Sequence, residues 1–433
     1  MLPPRGKSAT KKKYIVAFSL ICNFSVLIFF KYFDFLLQNL NHAFSIVGLT
    51  SVTHQFDIVL PVGISFYTFQ ALSYTLDVYR GETPVERNFF RYALFVSFFP
   101  QLVAGPIERS KNLLFQLQHT DEIKLWNYDR ITSGSVLLLW GLFQKMVIAD
   151  RAAILVDTVY KEYWIYGSVE LVLASVLFAI QIYCDFGAYS LIAIGAAKIM
   201  GFELMENFNV PYFSRSIREF WRRWHISLST WFRDYLYIPL GGSRCTKWKH
   251  YRNVMITFLS SGLWHGASWN FVAWGGLHGV YQIIEMEGKS FKEKIEKRWN
   301  IRTDCLSYRL GQAVITFLCV DLAWIFFRAN GFTEALQIIF RIFTRWNPWV
   351  LFDQSLYQLG LTITEVHILV VALLLLFLVD WNKYKTGETI DVFLTKQNIW
   401  FRWSAFLAAF FAILIYGVYG PAFNPAVFIY FQF

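Results

Sequence analysis

Apolar runs of membrane-crossing length recur along the whole chain, separated by short connectors rich in Lys and Arg. A hydrocarbon core about 30 Å thick takes about twenty helical residues. Spans are therefore expected near residues 14–37, 58–78, 131–149, 169–183, 188–200, 310–327, 362–379 and 403–419, and a further apolar segment covers 251–282. With the interrupted pieces this gives roughly nine to eleven membrane helices. Short alternating strands, the mark of a β-barrel, are not the pattern here. The expected class is all-α: a polytopic integral membrane protein, one transmembrane domain over residues 1–433, with broken or re-entrant and interfacial helices around a central tunnel. No internal repeat of the kind many transporters carry is detectable.

Several stretches depart from a plain span. Residues 1–13 are a basic leader, and Lys11, Lys12 and Lys13 place it in the cytoplasm. The apolar run after it continues into Lys31 and Tyr32 without a small-residue cleavage site, so it reads as a retained first helix rather than a signal peptide. Residues 88–107 begin as a helix and then meet Pro100, Gly105 and Pro106, which cannot continue one. Either a broken helix buried in protein or a helix end with a surface loop accounts for them. Residues 108–130 are polar. Asp185 falls between two apolar runs and reads as a helix cap in preference to a buried acid. Residues 206–252 interleave Arg215, Arg218, Arg222, Arg223, Arg233 and Arg244 with Phe220, Trp221, Trp224, Trp231, Phe232 and Tyr235. That mixture predicts a segment lying in the cytoplasmic interface, its aromatics at headgroup level. Residues 285–309 read as a charged loop, and 332–352 as an amphipathic interfacial stretch.

Composition agrees with the pattern. Hydrophobic residues make up 56% of 433, where a soluble domain has about 45–50%, and mean hydropathy is +0.39. The net charge of +10 lies in the connectors, as the positive-inside rule requires, and is no sign of nucleic-acid binding. The five cysteines, Cys22, Cys184, Cys245, Cys305 and Cys319, form neither a zinc spacing nor a disulfide framework, and no metal site is expected.

The candidate chemistry lies in residues 253–284. About a dozen helical residues separate Arg252 and Asn253 from His265, roughly 18 Å of rise. An ionisable group at that depth is costly and by default functional. Trp264, Trp269 and Trp274 could instead simply enclose a neutral histidine bonded to a backbone carbonyl. The surrounding glycines, Gly262, Gly266, Gly275, Gly276 and Gly279, favour close approach of helices or of a substrate. There is no GxSxG, Walker A, GxGxxG or HExxH motif. The other histidines of interest are His225 and His278. On one continuous helix His265 and His278 would stand about 20 Å apart, which points His278 to a structural role. A buried neutral imidazole suits a general base, and acyl transfer from a thioester to a hydroxyl needs little more than that, an oxyanion donor and exclusion of water.

The runs EFWRRWHISLSTWFRDYLYIPLGGSR and SGLWHGASWNFVAWGGLHG resemble the membrane-bound O-acyltransferase (MBOAT) family, and LPVGISFYTFQALSYTLDVYRGE and FPQLVAGPIERS are similar to its bacterial alginate-type branch. The resemblance runs from about residue 30 to 327 and more loosely onward. It implies that His265 of the WHG motif is the essential residue and His225 of the RRWH motif the second one. It implies an enzyme of the bacterial cytoplasmic membrane that moves acetyl from a cytosolic thioester donor, acetyl-CoA, to a cell-surface polysaccharide, directly or through a periplasmic SGNH-type acetyltransferase. No bound cofactor and no nucleic-acid partner are implied. In this picture the donor enters from the basic cytoplasmic face near His225, and the acceptor reaches His265 from the other side. Arg222 and Arg223 could steer an anionic donor, though they equally satisfy the positive-inside rule. Alginate-type members carry additional hydrophobic helices before the stretch that resembles SVLIFFKYFDFL, where this chain has its basic leader. D-alanyl transfer to teichoic acid is the neighbouring chemistry. A transporter or export component without chemistry is the rival class, and it would need charges lining several spans; Asp185 and Asp321 are the main candidates.

Overall fold

The computed structural model describes residues 7–53 and 61–419, and among these every regular element is a helix. α1 (Lys7–Leu27) and α2 (Phe33–Val47) make one long rod through a π-helical turn at Ile28–Tyr32. α3 (Ile64–Arg80), α4 (Phe89–Val96) and a single turn, α5 (Phe115–Gln118), lead to α6 (Tyr128–Phe143). Another π-helical turn, Gln144–Ala149, joins α6 to α7 (Asp150–Lys161). The central helix is α8 (Ser168–Met200), followed by the short α9 (Ile217–Arg223) and α10 (Ile226–Phe232). α11 (Lys247–His265), α12 (Trp269–Arg298), α13 (Leu306–Arg328), α14 (Phe332–Thr344), α15 (Ile363–Thr386), α16 (Ile390–Thr395) and α17 (Ile399–Tyr416) complete the order.

Six of these helical stretches are long and apolar enough to cross a membrane: Thr10–Val47, Tyr128–Lys161, Ser168–Met200, Leu306–Arg328, Ile363–Thr386 and Ile399–Tyr416. The protein is thus a multi-pass helical membrane protein. The larger number read from the sequence counts residues 169–183 and 188–200 as two spans and adds α3, α4 and the α11–α12 pair, which are helical too but shorter or more polar. The start of the expected second span, residues 58–60, lies outside the described residues, as do residues 1–6 of the basic leader.

The core forms where α8 is covered on all sides. A helix apolar all round belongs inside, and Phe178, Phe186 and most of its other positions are buried. α6 lies directly against it because both carry small residues at the crossing. A Cβ at Gly134 would overlap the Gly195 carbonyl, and one at Gly141 the Ala188 carbonyl. Phe220, Trp224, Trp274, Trp324 and Phe327 fill the space between α8, α9, α12 and α13.

Four expectations change. The runs at 169–183 and 188–200 are one 33-residue helix. Asp185 stands in its middle, 2% exposed, and is no cap. Its carboxylate lies 2.6 Å from the Lys145 ammonium, which also pairs with Asp150 at 2.8 Å. Such a group survives burial by pairing. Residues 285–298, read as a loop, continue α12 as a helix, because they hold good helix formers and no Gly or Pro after Gly288. Of the aromatics expected at headgroup level, Phe220, Trp224, Trp231 and Phe232 are buried against protein, and Trp221 and Tyr235 are half-buried. The chain there turns inward in short pieces, with Val210 and His225 both in the left-handed region.

The apolar segment at 251–282 is not one helix. Gly266 (φ −159°, ψ 145°) and Ser268 are extended, so α11 stops at His265 and α12 returns beside it. The hairpin closes backbone to backbone: a Cβ at Gly262 would overlap the Phe271 carbonyl, and one at Gly275 the Phe258 carbonyl. Gly275→Ala should therefore lower the folded yield and melting temperature in detergent, since overpacking costs about 1–3 kcal/mol. Gly288→Ala, which meets nothing within 4 Å on the same helix, is the control and should be neutral or better. Equal melting of the two variants would refute the close-packed hairpin.

The interrupted stretch after α4 is settled by burial. Phe98, Gln101, Ala104 and Ile107 are 3% exposed or less, so this irregular backbone lies inside protein. Backbone N–H groups of Gln101 and Gly105 find carbonyls within the stretch, while Gln101 Oε1 has no partner among the described residues. The Gln101 amide donates to Gln70 Oε1 at 3.2 Å, and Gln70 in turn donates to the Phe95 carbonyl at 2.7 Å.

Candidate active site

His265 is the last residue of α11, and its ring turns back on its own helix. Nδ1 lies 2.7 Å from the carbonyl of Ser261, one turn earlier. A carbonyl only accepts, so this contact puts the proton on Nδ1 and the lone pair on Nε2. The helix end is then held from outside. The Lys31 ammonium donates to the carbonyls of Trp264 (2.8 Å) and His265 (3.0 Å), and the Tyr32 hydroxyl donates to that of Leu263 (2.7 Å). Last-turn carbonyls have no partner within their own helix, and a cation there also suits the helix dipole.

His225 joins α9 to α10 in the left-handed conformation (φ 43°, ψ 56°) and is fully buried. Its partner is Asn207. The Asn207 amide donates through Nδ2 to Ser190 Oγ at 3.1 Å, which leaves Oδ1 as the acceptor. That oxygen takes bonds from Ser227 Oγ (2.9 Å), Ser227 N–H (3.3 Å) and His225 Nδ1 (3.1 Å). His225 therefore also carries its proton on Nδ1. Its Nε2 has no hydrogen-bond partner among the described residues.

The fold brings the two imidazoles together. Their ring centroids are 6.3 Å apart, a separation that one acyl group can bridge. Aromatic rings enclose them. Trp264 (5.0 Å), Trp274 (4.8 Å) and Phe327 (5.6 Å) surround His265, and Phe186 lies 4.7 Å from His225. His225 is therefore a core side chain facing the same site as His265, and the interfacial placement expected for it does not hold. The expected separation of His278 rested on a continuous helix that the structure breaks. Trp274 packs against both His265 and His278, and the Trp221 indole donates to His278 Nδ1 at 3.2 Å. Asn207, Ser261, Lys31 and Tyr32 carry the site's geometry and were not picked out from sequence.

Two cavities reach hydrogen-bond partners of these groups, Ser261 in one and Asn207 in the other, and neither histidine itself lines them. One of about 820 Å³ is walled by Arg218, Arg222, Arg233, His250 and Trp221, with Ser261 among its lining residues and no carboxylate. The other, about 360 Å³, lies between α6, α8 and α15, and its lining includes Asn207, Ser190, Tyr183, Asp380 and Lys383. Neither Asp185 nor Asp321 lines them. Asp321 is buried and accepts from Ser175 Oγ at 2.9 Å, while its Oδ1 has no hydrogen-bond partner among the described residues.

The family model described as MBOAT, membrane-bound O-acyltransferase family, matches residues 84–327, a stretch that contains both histidines. A protein of Azotobacter vinelandii named "Probable alginate O-acetylase AlgI" is 39% identical over 350 residues, covering 78% of this chain and 64% of its own length. One of the same name from Pseudomonas putida is 35% identical over 427 residues, 94% of this chain and 82% of that protein. The peptidoglycan O-acetyltransferase of Helicobacter pylori is 35% identical over 356 residues, 77% of this chain and 65% of that protein. Against the Azotobacter and Helicobacter relatives the chain thus spans just under two thirds of their length. The matched stretch is more than half of the chain and holds the paired histidines at its centre: the chain belongs to the membrane-bound O-acyltransferase family.

Proposed function

We propose that the protein is an O-acyltransferase that transfers an acetyl group from a cytosolic thioester, acetyl-CoA, to a hydroxyl of a cell-surface polysaccharide, directly or through a periplasmic acetyltransferase. The observation that carries this reading is the buried pair His225 and His265, each with Nδ1 committed to a neighbouring oxygen and its lone pair on Nε2. In the reaction His265 Nε2 takes the proton of the acceptor hydroxyl as that oxygen attacks the thioester carbonyl. The tetrahedral intermediate collapses with loss of the C–S bond, and the imidazolium returns the proton to the departing sulfur. His225 faces the same acyl group from the other side. The ring of Trp and Phe keeps water, the competing acceptor, away.

The names of the relatives support polysaccharide as the acceptor class, with alginate and peptidoglycan as the two precedents. The inner membrane of a bacterium is the setting in which a cytosolic donor and a surface polymer meet across one protein. A transporter would place charge along its path; here Asp185 is paired with Lys145, and neither Asp185 nor Asp321 lines either cavity. The test is transfer of radiolabelled acetyl from acetyl-CoA to polymer by membrane vesicles carrying the chain. Label in polymer that mild alkali releases supports the reading. Label no higher than in vesicles without the chain overturns it.

The cationic cavity beside Ser261 supports entry of a phosphate-bearing donor there. Arg218→Glu with Arg222→Glu should raise the KM for acetyl-CoA about tenfold or more and leave kcat within a few-fold, because charges at a cavity mouth act on capture. The wild-type KM should rise with ionic strength, and the doubly substituted protein should show little of that dependence. An unchanged KM would send the donor elsewhere.

A further inference from the structure

We infer that the first helix is part of the active site, with Lys31 and Tyr32 as positioning residues for His265. The inference rests on the acyl-transfer reading above for its activity readout, and on geometry alone for its second readout.

Three independent features meet at this point of the chain. The stretch Thr10–Val47 is long and apolar enough to cross a membrane, and Lys31 stands near its middle. An ionisable residue inside a spanning helix is costly and marks function. The helix is distorted just there, since Ile28–Tyr32 is a π-helical turn, and such turns gather at functional sites. Finally, the two side chains at the end of that turn reach across more than 230 residues of sequence to three successive carbonyls, those of Leu263, Trp264 and His265.

Those carbonyls are the last turn of α11. The extended backbone of Gly266 ends the ladder, so nothing within the helix beyond that point satisfies them. The ammonium binds two carbonyls at once, including that of the histidine itself, and it also lies 5.9 Å from the centroid of the Trp264 ring. The effect is to fix the peptide from which His265 projects. Its ring position then follows from that clamp on the backbone and from the Nδ1 bond to Ser261. Loss of the clamp lets the turn fray. A displacement of about 1 Å at a reacting group costs roughly a hundredfold in rate.

The test compares Lys31→Met, Lys31→Arg and Tyr32→Phe with wild type and with His265→Gln. One readout is acetate ester in the cell-surface polysaccharide per folded protein in the membrane. The second is the rate at which diethyl pyrocarbonate modifies His265, followed by peptide mass spectrometry, which needs no assumption about the reaction. Lys31→Met should lose roughly ten- to a hundredfold in acetylation and should speed modification of His265 several-fold as the last turn opens. Lys31→Arg, which keeps the cation and its donors, should recover most of both. Tyr32→Phe loses one bond and should fall by about threefold, in keeping with a typical single hydrogen bond. Wild-type modification of His265 in Lys31→Met overturns the clamp, whatever the acetylation shows. Faster modification together with polymer acetate that His265→Gln leaves intact would keep the clamp and remove the acyl-transfer reading instead. If Lys31→Met does not accumulate, Tyr32→Phe carries the same two readouts, and normal values in it overturn the inference.

Discussion

Replacing His265 with Gln is expected to lower acetylation by ~10²–10⁴-fold, the usual loss when a general base is removed. Gln is the informative choice because of what surrounds the ring. His265 is 5% exposed and packed among Trp264, Trp274 and Phe327, so Ala would open a cavity among rings and confuse catalysis with folding. The Gln amide is close in size and can donate to the Ser261 carbonyl, which now takes the Nδ1 bond at 2.7 Å. It cannot accept and release a proton at neutral pH. The quantity to measure is polymer-bound acetate per folded protein, with detergent size-exclusion profiles as the check on folding. A structural histidine would show a drop in folded protein and a normal specific activity. Near-normal acetylation by well-folded His265→Gln would defeat the catalytic assignment.

How far the sequence reaches can be seen from particular residues. The helical membrane class is written in run length, and His265 stood out because a histidine inside an apolar run is expensive. Hydropathy does not register a turn made of residues as apolar as the helices they join, so the hairpin at Gly266–Ser268 was hidden inside one long run. The available signal was Ser268, a helix-starting residue ahead of Trp269 and two positions after Gly266. Asp185 was misread for a different reason. Its partner Lys145 is forty positions away on another helix, and a charge pair across helices leaves no local trace. The same holds for Asn207, which fixes His225, and for Lys31. Each acts through space on a residue distant in sequence.

The interleaved arginines and aromatics at 206–252 show a further limit. Composition correctly marks such a segment as amphipathic, and it leaves open whether lipid or protein covers the aromatic side. Here protein covers it, because two left-handed residues, Val210 and His225, turn the chain back into the core. Arg218, Arg222 and Arg233 then line the larger cavity, while Trp224 and His225 are buried in the core. One short segment thus supplies both the charge that would attract a donor and the second imidazole that would meet it.

That conformation decides which variant of His225 is worth making. At φ 43° most side chains are strained by about 1–2 kcal/mol, and Asn tolerates the left-handed region better than other non-glycine residues. His225→Ala would combine backbone strain with a cavity beside Phe186 and Trp264, and a loss of acetylation could then be a loss of protein. His225→Asn keeps the backbone and leaves an amide able to donate to Asn207 Oδ1, where Nδ1 donates now. It removes the Nε2 lone pair that has no partner among the described residues. Folded yield should stay near wild type, while acetylation falls at least tenfold, toward the lower end of what one acid–base group contributes. Because the rings lie 6.3 Å apart in one site, the double variant His225→Asn with His265→Gln should be little worse than His265→Gln alone, as residues acting as a unit are strongly non-additive. Losses that multiply would instead mean two independent steps at two places. Full acetylation by His225→Asn would leave His265 to act alone and would remove the histidine pair as the basis of the proposed reaction.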